Sequence, residues 1–89
     1  MERITAAGNT EIPAFLVLRE AGFDVTSHAG DGEEMWFARK GDLSLSAPSP
    51  LQLLGLFCMR KERGSDWKAP DSETDSFLKR FYPSNETRA

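Results

Sequence analysis

The chain has 89 residues, a formal net charge of -3, 39% hydrophobic and 28% charged residues, and a single cysteine. That length holds one domain with one core, and the apolar content is that of a folded chain rather than a disordered one. One cysteine excludes an internal disulfide and a cysteine-based zinc site, and the dispersed, slightly acidic charge disfavours generic duplex binding.

Met1 to Asn9 is short and punctuated, with Arg3-Ile4-Thr5 as a possible edge strand and Gly8-Asn9 as a turn. Thr10 is placed to cap a first helix, and Pro13 is tolerated in its first turn. From Ile12 to Ala21 the apolar positions Ile12, Phe15 and Leu16 are flanked by Ala14, Val17, Leu18 and Ala21. So broad a stripe predicts a largely buried helix. Gly22 is the expected stop.

Phe23 to His28 alternates apolar and polar residues and predicts a half-buried strand. Asp31-Gly32 is a hairpin turn, Met35 to Arg39 a second strand, Lys40-Gly41 a second tight turn, and Leu43 to Ala47 a third strand. Pro48-Ser49-Pro50 ends the sheet. Ser49 is a good cap and Pro50 suits the first helical position of a helix running to about Arg63. Gly64 stops that helix, Ser65 to Ala69 forms a loop around Trp67, and Asp71 caps a third helix carrying Phe77, Leu78, Phe81 and Tyr82 before Pro83. The expected architecture is α+β: a three-stranded antiparallel meander with one helix before it and two after it (α-β-β-β-α-α). Residues 1–83 form the domain and 84–89 a tail.

Both turns imply one inward sheet face: Phe23, Val25, Trp36, Ala38, Leu43, Leu45 and Ala47. The opposite face carries Thr26, His28, Met35, Phe37, Arg39, Ser44 and Ser46, with Arg39 expected between Asp24 and Asp42. Two large apolar side chains in a polar field make Met35 and Phe37, with Thr26, His28 and Arg39 around them, the candidate protein-binding surface.

The alternative site is Arg60, Lys61, Arg63 and Lys68 with Trp67. These could offer cations and a stacking ring to an anion or to single-stranded nucleic acid. Glu62 and Asp66 interrupt that run, which makes a nucleic-acid partner the weaker reading. Cys58 lies on the apolar side of its helix, where a packed, unreactive thiol is expected, so a Cys58–His28 dyad has little support. Asp31, Glu33 and Glu34 crowd one turn without calcium-loop spacing. No phosphate loop, zinc-binding histidine pair or hydrolase motif occurs.

No cofactor or metal is therefore expected, and no catalytic residue. The expectation is a small non-enzymatic binding protein of the inhibitor, immunity or adaptor type. It would act on a protein partner or as a homodimer, without a membrane, in a reducing compartment such as the bacterial cytoplasm.

Overall fold

A computed structural model describes residues 1–30 and 32–83. The elements follow the expected order: α1 (Glu11–Glu20), β1 (Asp24–Gly30), β2 (Glu33–Lys40), β3 (Leu43–Ala47), α2 (Pro50–Arg63) and α3 (Asp71–Phe81). The strands form one antiparallel sheet in the order β1-β2-β3. Residues 3–5 lie outside any strand, and Ile4 is almost fully exposed.

Thr10 precedes α1 without capping it. Its backbone is helical (φ -79°, ψ -17°) rather than extended, as a capping side chain requires, and its hydroxyl instead donates to the Ala7 carbonyl at 2.6 Å. The other end of α1 is well closed. Gly22 adopts φ +100°, its N–H donates to the Arg19 carbonyl, and the Phe23 N–H donates to the Leu18 carbonyl. This is the Schellman arrangement, which joins Leu18 and Phe23 in one apolar contact. Lys40 Nζ donates to the remaining Ala21 carbonyl at 2.6 Å and so ties β2 to the helix end.

The β1–β2 register is the expected one, with His28 opposite Met35, Thr26 opposite Phe37 and Val25 opposite Ala38. The β2–β3 register differs by two residues. Lys40 pairs with Leu43, Arg39 with Ser44, Ala38 with Leu45 and Phe37 with Ser46. The turn is therefore Gly41-Asp42 rather than Lys40-Gly41. Gly41 has φ +58°, and a turn one residue earlier would put Lys40 where such a backbone is costly. Arg39 consequently lies between Asp24 and Ser44, not between Asp24 and Asp42. A slip of two residues preserves the faces, so the inward set survives the change.

The core is Leu18, Phe23, Ala38, Leu45, Ala47 and Leu53, with Val25, Trp36, Leu43, Leu54, Leu56 and Phe57 packed around it. The Phe23 and Phe57 rings meet edge to face at 5.1 Å. α2 lies over β3 and β2, while α1 packs against α2 and β1. Counted edge to edge, three strands cover only about 14 Å, and two helices side by side need about 20 Å. α1 thus overhangs the β1 edge. Ala14 and Leu18 are buried, but Ile12, Leu16 and Val17 are exposed, so α1 is far less buried than its composition implies.

α2 starts where the sequence places it. The Ser49 backbone is extended (φ -151°), and its hydroxyl accepts from the Gln52 N–H at 3.2 Å. The first turn of α2 has no acidic residue of its own, and Glu11 of α1 supplies one. Its carboxylate accepts from the Leu51 N–H at 2.8 Å. Ser49→Ala is expected to lower stability by about 1 kcal/mol, read as a lower urea midpoint with an unchanged m-value. A midpoint equal to wild type would mean that Glu11 alone caps this end.

Candidate functional site

Because α1 and α2 both occupy the Ala38 side of the sheet, the other side is uncovered by them. Its rows are Asp24, Arg39 and Ser44; then Thr26, Phe37 and Ser46; then His28 and Met35. Met35 and Phe37 are half-buried on the middle strand, while Thr26, His28, Arg39, Ser44 and Ser46 are exposed on it or on the edge strands. Phe37 is absent from the side chains that pack on the core, whereas its neighbour Trp36 is among them. The alternation of β2 separates these two rings onto opposite sides of the sheet.

At the hairpin end this open face continues into a shallow depression lined by His28, Gly30, Glu33 and Met35. Glu33 shares the face of Met35, and Glu34 shares that of Trp36. The strand pleat therefore splits the acidic turn seen in the sequence. Asp31, its third member, lies outside the described residues. Among those described, no three carboxylate, histidine or cysteine side chains group as metal ligands.

The basic group at 60–68 is only partly free. Arg63 Nη2 holds the Glu73 carboxylate at 2.8 Å, and its Nε donates to the Trp67 carbonyl at 3.0 Å. This side chain fastens the α2–α3 loop. Trp67 is half-buried, and Lys68 Nζ lies 5.8 Å from the centroid of its ring. Arg60, Lys61 and Lys68 remain as exposed cations, a small footprint for a polyanion.

Cys58 is exposed, not packed as its helical position suggests. The narrow sheet offers α2 contacts for Leu53 and Phe57 and leaves the Cys58–Met59 side in solvent. His28 is on the opposite side of the sheet from α2, so the two residues do not form a nucleophile–base pair.

Two apolar features are missing from the sequence reading. One is a groove of about 570 Å³ where α1 meets the turn between β3 and α2, walled by Ile12, Phe15, Trp36, Pro48 and Pro50 with Glu11 and Glu34 beside them. The signal available for it was Pro48-Ser49-Pro50. These residues lead from β3 into α2 and line the groove together with Trp36. The other is the exposure of α3: its apolar residues are evident in the sequence, but none of the helix is buried.

No family model, curated protein or solved structure matches this chain. Among the described residues no helix is long and apolar enough to cross a membrane.

Proposed function

We propose that this protein is a non-enzymatic binding module of the inhibitor, immunity or adaptor type that engages a protein partner through the open sheet face. The observation that carries the reading is the sidedness of the sheet. Both core-packing helices lie on the Ala38 side, while the Phe37 side holds an apolar pair inside a ring of short polar and charged groups. Such a centre suits a partner that seats an apolar side chain against Met35 and Phe37. Thr26, Ser44 and Ser46 are small enough to let it approach, and Asp24, His28 and Arg39 offer rim contacts of both signs. Side chains that stand on paired strands are held by a backbone already ordered, so less entropy is lost on binding.

The test is capture of partners from native lysate on immobilised wild-type protein and on Phe37→Ala, with circular dichroism melts of both. A specific protein retained by the wild type should bind the variant at least ten-fold more weakly, while the melts stay close. A captured set that is the same on both proteins, or a Phe37→Ala chain that no longer folds, removes the sheet face as the site.

A further inference from the structure

We propose that the groove between α1 and the β3–α2 turn is a binding site for a small organic cation, an apolar group carrying an ammonium. Its walls are apolar: Ile12 and Phe15 from α1, Trp36 from β2, and Pro48 and Pro50 from the turn. Phe15 and Trp36 are half-buried, so each ring is held by its neighbours and still presents surface to the groove. A volume of about 570 Å³ lies in the range of small-molecule sites.

Charge decides the sign of the ligand. Glu11 and Glu34 line the groove, and no basic residue does. Among the described residues Glu34 has no ion-pair partner. The start of α2 also borders the groove, and a helix start ordinarily favours an anion. Here the first-turn amides are already spent. Pro50 has no N–H. The Leu51 N–H donates to the Glu11 carboxylate at 2.8 Å, the Gln52 N–H to the Ser49 hydroxyl at 3.2 Å, and the Leu53 N–H to the Ser49 carbonyl at 3.0 Å. An anion would therefore displace Glu11 to gain a donor and would still meet Glu34.

An ammonium gains where an anion loses. It can donate to a carboxylate in a charge-assisted hydrogen bond and lie against an aromatic face. A neutral apolar ligand would fill the same walls but would draw nothing from the Glu34 charge. Arg19, whose guanidinium lies 5.7 Å from the Phe15 ring centroid, does not line the groove and leaves its carboxylates unneutralised.

The test uses three molecules of one size and different charge: 2-phenylethylamine, 2-phenylethanol and phenylacetate. Each is titrated near neutral pH into the full chain labelled with nitrogen-15. The amine should shift the Trp36 indole signal and the Phe15 amide along a saturating curve, with a dissociation constant on the order of 1 mM for so small a probe. The alcohol should bind roughly ten-fold more weakly, and the acid more weakly again. Glu34→Gln changes an exposed side chain and should keep the wild-type melt. It should weaken amine binding about three-fold, since the pair is partly screened by water, and leave the alcohol unchanged. Phe37→Ala should bind the amine like wild type, because that ring stands on the other side of the sheet. This separates the groove from the sheet-face reading. Amine and alcohol binding equally, no saturable shift at Trp36, tighter binding of the acid, an unaffected Glu34→Gln, or amine binding lost with Phe37→Ala would each overturn the assignment.

Discussion

Leu53→Ala is expected to lower the unfolding free energy by about 3 kcal/mol, and Leu18→Ala by a similar amount. These are the two largest side chains that are wholly removed from water. Leu53 descends from α2 and Leu18 from α1 into the same cluster above Ala38 and Leu45. Alanine at either position removes the methyl contacts and leaves a cavity that two helices tethered by short loops close poorly. An 89-residue domain has about 4–10 kcal/mol of stability in all, so one such change removes a large part of it and lowers the melting temperature by roughly 10–20 °C. Leu51→Ala is the control. That leucine sits two positions away on the same helix, is substantially exposed, and should cost less than about 1 kcal/mol. Urea denaturation of the three variants decides the point. Equal losses at Leu51 and Leu53 would mean that α2 is rotated about its axis from the position described. The Leu18/Leu53 double variant should cost less than the sum of the two singles, since both side chains line one cluster.

The order and type of every helix and strand were legible in the sequence because local signals agreed with the global pattern. Period-two alternation in residues 23–28 and 43–47 marked strands, and Ser49-Pro50 and Gly64 bracketed α2 closely. What the sequence did not supply was the width of the sheet relative to the helices above it. Leu16, Val17 and Cys58 lie on stripes that look suited to a core, yet a three-stranded sheet cannot cover them. The same shortage of covering surface leaves Phe77, Leu78, Phe81 and Tyr82 in water, although as a pattern they resemble a helix bound for the core. Periodicity reports which side of a helix is apolar, not whether an opposite surface exists to receive it.

The candidate face was legible for a narrower reason. Its assignment depended on the parity of two turns, not on their positions. The second turn falls at Gly41-Asp42, one residue later than expected, and moves the β3 partners by two. Phe37 therefore faces Ser46 instead of Ser44 but does not change sides. Arg39 loses its expected neighbour Asp42 by the same shift. Its apposition to Asp24 is retained, since that pair is set by the first hairpin. The role of Arg63 as a loop fastener could not be read from the chain. The partners of a long flexible side chain ten residues from Glu73 depend on the path of the intervening loop.

A pair of carboxylates placed on consecutive residues of β2 should behave in opposite ways. Ala38→Asp is expected to unfold the domain, and Phe37→Asp to leave it folded. Ala38 has no exposed surface and lies beneath α1 and α2 among Leu18, Leu45 and Leu53. Aspartate there is larger than the space available. It would also face an apolar cluster in which no basic residue is found among the described side chains. Burying it ionised costs several kcal/mol, and burying it protonated still leaves an unpaired carboxyl. That loss is comparable to the whole stability of a domain of this length. One residue earlier, the same carboxylate would stand on the open face with water above it and the Thr26 and Ser46 hydroxyls on the neighbouring strands. The loss there is the partial burial of the phenyl ring between strands, about 1 kcal/mol. Far-ultraviolet circular dichroism and a thermal melt of the two variants read the difference directly. Two folded variants, or two unfolded ones, would contradict the sidedness of the sheet. An unfolded Phe37→Asp beside a folded Ala38→Asp would reverse it and take the candidate partner surface with it.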